Sequence, residues 1–376
     1  MLYELFKFLH VEYDFPRLGL YVSFRIAAAF LFSFLACVLL GRRFIGWQQR
    51  RAMGESFDKM GQERRALVTE SKAGTPTMGG ILIGMALLGS ALLWCDLSQP
   101  LVWLGIITFV ALGAIGYWDD HVKLFHPTRH GISFRTKLFW TTVVCLLLGL
   151  ALESWVWAAP GKGATDPSLI SLVLPFLKDG MIPLTAFFGL PFLLLVWLTV
   201  CGSANAVNLA DGMDGLAAGC MLIAGIALTV MCYVIGRVDF ASYFYVLHVP
   251  GASEVAILLG AMVGACFGFL WYNAAPAQIF MGDVGSLSLG GLLGFAAVAC
   301  RMELTLLILG GVFVAEALSV VLQVGSYKLR KKRIFLCSPI HHHFQKLGVP
   351  ETKIVIRFWI AAVMLAALSL TLFKVR

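Results

Sequence analysis

Residues 254–272 read EVAILLGAMVGACFGFLWY, a run of 19 residues in which Glu254 is the only charged side chain. As an α-helix with a rise of about 1.5 Å per residue, the run spans nearly the whole hydrocarbon core of a bilayer, which is about 30 Å thick. A glycine-rich polar segment, 273–285, follows it directly. A membrane-length apolar run that ends at a polar motif recurs along this chain, and that recurrence predicts the fold.

The composition is that of a membrane protein. Of 376 residues, 59% are hydrophobic and 13% are charged, whereas a soluble domain has about 25% charged residues. No CxxC spacing occurs among the nine cysteines, so a disulfide or cysteine-metal framework is not indicated. The sequence predicts an all-α, polytopic transmembrane helical bundle, a single domain over 1–376 in which the first run stays as an anchor. About ten spans are predicted, near 20–41, 77–95, 101–117, 137–156, 181–202, 216–235, 254–272, 286–300, 304–325 and 354–373.

The distribution of Lys and Arg predicts the topology. The segments between spans alternate between basic-rich and basic-poor, and basic-rich segments stay in the cytoplasm. Both termini are therefore predicted to be periplasmic. The net charge of +8 is explained by this topology, with no need of a nucleic-acid partner. The predicted cytoplasmic loops are about 42–76, 118–136, 203–215, 273–285 and 326–353.

The acidic and glycine-rich motifs all fall on the predicted cytoplasmic side, each at the end of a span. They are GYWDDHVKLF (116–125), NAVNLADGMDGLAAG (205–219), WYNAAPAQIFMGDVGSLSLGG (271–291) and CSPIHHHFQKLG (337–348). Carboxylates at a membrane boundary are costly unless they are hydrated, paired or bound to a cation. Mg²⁺ prefers such oxygen ligands, so the motifs predict a magnesium site.

The spacing within the motifs gives each acid a different setting. Asp119 and Asp120 are adjacent, so on a helix they point about 100° apart and are expected to have different roles. In the NxxDxxD motif, Asn208, Asp211 and Asp214 follow one another at intervals of three, which would place them on one face of a helix. The glycines at 212 and 215 are equally consistent with a loop. Asp283 lies between two glycines, which suits a tight turn at the start of the eighth span.

Simpler interpretations stand beside these. An aspartate pair at a membrane edge is often only a solvated helix end. Three consecutive histidines cannot all bind one tetrahedral zinc from a regular element, so the 341–343 segment is expected to contact phosphate or to order its loop. Glu316, inside the ninth run, is either a functional acid or a carboxyl paired within the bundle. The basic residues 328–333 are explained as a cytoplasmic anchor that contacts anionic lipids.

Taken together, these motifs resemble those of the phospho-N-acetylmuramoyl-pentapeptide-transferase family. The resemblance covers nearly the whole chain. It rests on the aspartate pair and on KAGTPTMGG (72–80), NLADGMDGLA (208–217), PAQIFMGDVGSLSLGG (276–291) and SPIHHHFQKLG (338–348). The wider superfamily of polyprenyl-phosphate N-acetylhexosamine-1-phosphate transferases shares the aspartate motifs but not the histidine loop.

The resemblance implies an enzyme of the bacterial cytoplasmic membrane. It would transfer phospho-N-acetylmuramoyl-pentapeptide from its UDP derivative to undecaprenyl phosphate, releasing UMP and forming the first lipid intermediate of peptidoglycan synthesis. Mg²⁺ would bind Asp283, with Asp120 or Asp211 as alternative further ligands. Asp119 would be the base or the activator of the lipid phosphate. A homodimer is also suggested by the resemblance alone.

The resemblance also assigns the remaining site residues. The catalytic set is Asp119, Asp120, Asn208, Asp211, Asp283, His341, His342 and His343. The substrate-binding set is Lys72, Thr77, Lys123, Lys137, Asp214, Asn273 and Phe280. Within that set Asp214, Asn273 and Phe280 would form the uridine pocket, with Phe280 stacked on the base.

Three rival functions remain. A sister transferase that uses UDP-N-acetylglucosamine would share the aspartates, but the histidine loop argues against it. A membrane transporter would also hold acids in the membrane, but near its midplane and on repeated elements. A membrane prenyltransferase would also use aspartates and magnesium, but it would release pyrophosphate in place of UMP.

Overall fold

The structure is a computed structural model that describes residues 1–13, 17–51, 74–126, 131–157, 167–174 and 180–374. Fourteen α-helices occur in these ranges. In chain order they are α1 Leu2–Tyr13, α2 Val22–Arg50, α3 Gly80–Trp94, α4 Pro100–Phe125, α5 Phe134–Trp157, α6 Leu190–Ala210, α7 Leu216–Ile235, α8 Val238–Phe244, α9 Ala252–Asn273, α10 Gly282–Ala299, α11 Glu303–Leu309, α12 Gly311–Arg330, α13 Ile340–Lys346 and α14 Glu351–Lys374.

The prediction of an all-α polytopic bundle is confirmed. In the described ranges, nine helices are long and apolar enough to cross a membrane, namely α2, α4, α5, α6, α7, α9, α10, α12 and α14. The shorter apolar helix α3 corresponds to the second predicted run. The described chain adds one small hairpin of two antiparallel strands, β1 Ser171–Val173 and β2 Met181–Pro183.

The fifth predicted span begins too early in the sequence. Residues 181–183 form β2, and α6 begins only at Leu190. Phe187, Phe188 and Gly189 all have positive φ angles of 50°, 55° and 76°, which a helix does not accommodate. The apolar residues of this segment therefore belong to an exposed turn and not to a longer helix, and Phe188 is 99% exposed.

The ninth predicted span consists of two helices. α11 ends at Leu309 and α12 begins at Gly311, with Gly310 between them in a non-helical conformation. Two consecutive glycines have the lowest helix propensity apart from proline, so they are a natural point for such a break.

α9 and α10 form the centre of the bundle. Within their most apolar windows, 83% and 89% of the residues are buried, more than in the other membrane-length helices of the described chain. α9 packs against α2 and α7, and α10 packs against α4 and α6. The small residues of the 285–291 segment, GSLSLGG, allow this close approach. The eighth predicted span, 286–300, is the shortest of the ten, and its helix α10 is the most buried.

Met1 and the described end of α14 lie at the end of the bundle opposite the aspartates. The N-terminal ammonium donates a hydrogen bond to Leu92 O (2.8 Å), near the end of α3. Phe373, near the end of α14, packs against Phe244 of α8 (ring centroids 6.2 Å apart). At the other end of α3, Gly80 lies against Gly285, two residues from Asp283. We call the end that carries Asp119, Asp120 and Asp283 the acidic end.

A buried ion pair joins three elements at the opposite end. Glu254 accepts hydrogen bonds from both terminal nitrogens of Arg25 (2.6 and 3.0 Å) and from the Asp96 N–H (2.8 Å). Because both charged groups are paired and bonded, their burial inside the bundle is tolerated. Glu254, the one charge in its apolar run, therefore ties α9 to α2 and to the turn after α3.

Glycine contacts bring α4 and α10 together at the acidic end. A side chain at Gly116 would overlap the carbonyl oxygen of Asp283. One turn earlier, a Cβ at Gly113 would meet only ordinary contacts, with Ser288 Cβ at 3.5 Å. The backbone approach at Gly116 is what allows the aspartates of α4 to reach Asp283.

We expect Gly116→Ala to destabilise the fold by about 1–3 kcal/mol, the usual cost of overpacking. Gly113→Ala, on the same helix, should change stability little. The measurement is the thermal unfolding midpoint of each purified variant in detergent. Equal midpoints for the two variants would contradict the close contact between α4 and α10.

Candidate active site

Asp119 and Asp120 lie on the last turns of α4, which extends eight residues beyond the predicted end of its span. Both residues are buried, at 3% and 4% exposure. Asp119 Oδ1 accepts a hydrogen bond from the Ile132 N–H (2.7 Å), and Asp120 Oδ2 accepts one from the Val284 N–H (3.2 Å). The adjacent aspartates therefore bind different elements, which fits the expectation that they point in different directions.

Asp283 lies in the first turn of α10, after Gly282 in a left-handed conformation (φ 74°). The tight turn predicted from the flanking glycines is thus confirmed. Asn208, on the last turn of α6, donates from Nδ2 to Asp283 Oδ1 (2.7 Å) and to Ser286 Oγ (2.9 Å). This network fixes the carboxylate at the start of α10, where exposed backbone N–H groups favour anions.

Two lysines neutralise part of the acidic charge. Lys123 Nζ lies 2.6 Å from Asp119 Oδ2 and 2.9 Å from Asp283 Oδ2. Lys137 Nζ, from the start of α5, lies 2.6 Å from Asp283 Oδ2 and 3.2 Å from Asn208 Oδ1. The lysines are therefore placed where they can bind phosphate oxygens that enter the cluster.

The carboxylates fit a magnesium site. One oxygen from each of Asp119, Asp120 and Asp283 lies within 4.8 Å of the others, so the three can share one cation. The donors are hard oxygens, and Mg²⁺ usually takes one or two protein carboxylates and fills its octahedron with water and phosphate. Three carboxylates and two ammonium groups leave a negative formal charge, which a divalent cation would offset.

Asp211 follows the last residue of α6, so the NxxDxxD segment is a loop and not one helical face. Only Asn208 of the three polar positions is helical, and Gly215 has a positive φ of 77°. The pKa of Asp211 is raised from 3.8 to about 8, because burial disfavours its charge and because Asp283 and Asp120 lie nearby. A backbone hydrogen bond from Gly282 opposes that shift.

The residues predicted to bind uridine lie together beside the cluster. Asn273 Oδ1 accepts from the Gly215 N–H (3.0 Å), and Asp214 Oδ2 accepts from the Ala277 N–H (3.1 Å). Both side chains are buried and hold the 211–215 turn against the segment after α9. A direct contact with uridine stays a prediction for both.

Phe280 is half-buried, and its backbone pairs with the segment that contains Thr77. Its N–H donates to Pro76 O (2.8 Å), and its carbonyl accepts from the Gly79 N–H (2.8 Å). Thr77 and Phe280 are therefore neighbours, and a contact of either one with the substrate stays a prediction. Lys72 lies outside the described residues.

The three histidines contact three different partners. His341 is fully buried, and its Nδ1 lies 3.1 Å from Glu316 Oε2. His342 Nδ1 lies 3.0 Å from Gln345 Oε1, and His343 Nδ1 accepts from the Leu336 N–H (3.2 Å). His343 contributes to the order of its own loop through this hydrogen bond, and a role of the histidines at phosphate stays a prediction. Of the two alternatives for Glu316, the structure shows the carboxyl paired within the bundle.

Sequence reasoning missed two residues that hold the site. Ser286 shares the Asn208 amide with Asp283, and Glu351 Oε1 accepts from the Asp214 N–H (2.9 Å). The three-residue spacing of Asp283 and Ser286 on a helix could have indicated the first. Glu351 is far away in sequence and carries no motif, so nothing local pointed to it.

Comparison with known proteins gives two family matches. The Glycosyl transferase family 4 pattern matches residues 102–301, and the phospho-N-acetylmuramoyl-pentapeptide-transferase signature 1 matches residues 72–83. A protein of Nitratidesulfovibrio vulgaris (strain DP4) with the name phospho-N-acetylmuramoyl-pentapeptide-transferase is 44% identical over 380 residues, which covers all of both chains. A protein of the same name from Koribacter versatilis (strain Ellin345) is 43% identical over 387 residues, covering 100% of this chain and 99% of its own.

The raised pKa of Asp211 predicts how stability depends on pH. Between 3.8 and about 8 the folded chain binds more protons at this carboxyl than the unfolded chain, so stability falls as the pH rises through this range. Asp211→Asn should therefore show a smaller drop in thermal midpoint than wild type between about pH 5 and pH 8, measured in EDTA. Asp239→Asn, at an exposed carboxyl on the opposite end, should keep the wild-type drop. An unchanged drop in Asp211→Asn would refute the pKa assignment.

Proposed function

This chain belongs to the phospho-N-acetylmuramoyl-pentapeptide-transferase family, and we propose that it transfers the phospho-sugar of UDP-N-acetylmuramoyl-pentapeptide onto undecaprenyl phosphate. UMP leaves, and the product is the first lipid intermediate of peptidoglycan synthesis. The observation that carries the proposal is the convergence of Asp119, Asp120 and Asp283 beside Lys123 and Lys137 at one end of an apolar bundle.

The position of the cluster suits the two substrates. The donor is a polar nucleotide and the acceptor is a long hydrocarbon phosphate, so the reacting groups must meet where water and lipid are both accessible. The acidic end lies at the ends of membrane-length helices, which is such a place. We assign the acidic end to the cytoplasmic face of a bacterial inner membrane, with both termini periplasmic, because the loops on this side are rich in Lys and Arg.

Phosphoryl transfer asks the protein mainly for positioning and for stabilisation of negative charge. Magnesium, held by Asp283 with Asp120 or Asp211, supplies positive charge to the phosphates when it is bound. Lys123 and Lys137 give further positive charge at the same carboxylates, and Asn208 holds Asp283 in place. Asp119 would accept a proton from the lipid phosphate at Oδ2, which lies 2.6 Å from Lys123 Nζ, because Oδ1 already accepts from the Ile132 N–H.

The proposed reaction is tested by its products. Purified full-length protein receives undecaprenyl phosphate, magnesium and a mixture of UDP-N-acetylmuramoyl-pentapeptide and UDP-N-acetylglucosamine. We expect UMP and one lipid product whose mass corresponds to the muramoyl-pentapeptide diphosphate. A product that carries N-acetylglucosamine would favour the sister transferase, and release of pyrophosphate would favour a prenyltransferase.

Asp283→Asn should lower magnesium-dependent transfer by at least about 100-fold, because it removes a charged ligand from the reacting centre. The protein should still fold, since an amide fills the same space. The measurement is the rate of UMP release together with the thermal midpoint, and Asp239→Asn at the opposite end serves as the matched control. Near-normal turnover of a folded Asp283→Asn variant would remove Asp283 from the metal site.

Phe280→Ala should weaken binding of the UDP-sugar, because stacking of one base on an aromatic ring contributes about 1–3 kcal/mol, or roughly 5- to 100-fold. Affinity for the lipid acceptor should change much less. The donor's dissociation constant is measured by calorimetry in detergent, with Phe240→Ala at the opposite end as the control. An unchanged donor affinity would exclude stacking on Phe280.

A further inference from the structure

Glu316 is a charged residue in the middle of the apolar helix α12, and its side chain is fully buried. A carboxylate in this position is costly without a partner. In the described part of the chain, the polar side chain closest to its carboxylate is His341, whose Nδ1 lies 3.1 Å from Glu316 Oε2. Both side chains are 0% exposed, so water does not screen the pair.

The other side of the His341 ring faces the 211–215 turn. A side chain at Gly212 would overlap His341 Nε2, so the ring lies directly against the backbone of the 211–215 turn. The neighbouring Asp211 accepts a backbone hydrogen bond from Gly282, which precedes Asp283. A continuous path of contacts therefore runs from Glu316 through His341 to the turn that lies beside the proposed magnesium site.

Both ring nitrogens of His341 and both carboxylate oxygens of Glu316 are buried and make no hydrogen bond of good geometry among the described residues. The 3.1 Å approach of Nδ1 to Oε2 is therefore the polar contact that compensates the burial of the two side chains. On its other side, the ring packs against Gly212, so its orientation bears directly on the 211–215 turn.

The pair differs from the buried carboxylate of Glu254 at the opposite end of the bundle. Glu254 accepts three hydrogen bonds from Arg25 and Asp96, which saturates it as a structural tie. Glu316 has one partner in the described chain, and that partner belongs to the histidine loop. A carboxylate behind an imidazole fixes the tautomer and the orientation of the ring.

We propose that Glu316 is a positioning residue: its carboxylate orients the His341 ring against Gly212, and the ring so holds the 211–215 turn, with Asp211, beside the acidic cluster where the donor phosphate binds. This inference rests on the proposed function, because it needs a phosphate in the acidic cluster. Glu316 itself touches no substrate and acts only through His341.

The test is a double-mutant cycle on the full-length protein, with UMP release measured at saturating and at limiting donor. Glu316→Gln should lower kcat about 10- to 100-fold, the usual effect of removing the group that orients a site histidine, with less than about threefold change in the KM of the lipid acceptor. Glu316→Asp, which keeps the charge, should recover part of the rate. In a His341→Ala background, Glu316→Gln should cause no further loss, because the two residues act as one unit.

Two controls separate this role from a general loss of stability. Ser319→Ala, one turn along α12, removes a buried hydroxyl that bonds only the Glu316 carbonyl in the described chain, and it should leave kcat unchanged. Glu254→Gln removes a buried carboxylate at the opposite end, so it reports the rate loss that destabilisation alone produces. His341→Asn replaces His341→Ala in the cycle should the alanine variant fail to fold.

Additive losses in the cycle would overturn the proposal, as would a rate loss in Glu316→Gln no larger than in Glu254→Gln. The measurement on wild type distinguishes failure of this proposal from failure of the proposed function. If wild type forms no lipid-linked muramoyl product, the function is wrong. If wild type forms it and Glu316→Gln matches its kcat, only the positioning role is wrong.

Discussion

The approach of two helix ends, each carrying carboxylates, is the constraint on which the site depends. Asp119 and Asp120 at the end of α4 and Asp283 at the start of α10 repel one another, and no apolar packing offsets that repulsion at such short range. Two features make the approach tolerable. Glycine at 116 lets the backbones meet, and the lysines at 123 and 137 place ammonium groups between the acids. A bound divalent cation would complete this compensation.

The two ends of the bundle differ in how their charged side chains are paired. At the opposite end, buried charges pair one acid with one base: Glu254 binds Arg25 and a backbone N–H, and Arg301 lies 3.5 Å from Glu303. At the acidic end, turns and short helices from distant parts of the sequence meet around carboxylates with oxygen atoms directed inward. α9 and α10 are the most buried membrane-length helices of the described chain and connect the two ends, so they fix the helix termini that carry the proposed site.

Much of the fold was predictable because the apolar residues of a membrane protein form runs as long as its membrane-spanning helices. The ten runs, the side on which the motifs lie together and the tight turn at Asp283 all follow from patterns within about 20 residues. Partners were not predictable where the contact joins distant segments. Glu316 of α12 contacts His341 of α13, and Glu351 Oε1 accepts a hydrogen bond from the Asp214 N–H, 137 residues away in the sequence. The break at Gly310 and the late start of α6 depend on backbone conformation, which apolar composition does not report.

Mn²⁺ binding followed by electron paramagnetic resonance tests whether the converging carboxylates form one divalent-cation site for phosphate transfer. We expect one tightly bound Mn²⁺ per chain, phosphorus hyperfine coupling on addition of the UDP-sugar, and loss of both signals when Asp119, Asp120 and Asp283 are all replaced by Asn. Binding of Mn²⁺ with unchanged affinity in a folded triple variant, or bound Mn²⁺ with no phosphorus coupling, would contradict this expectation.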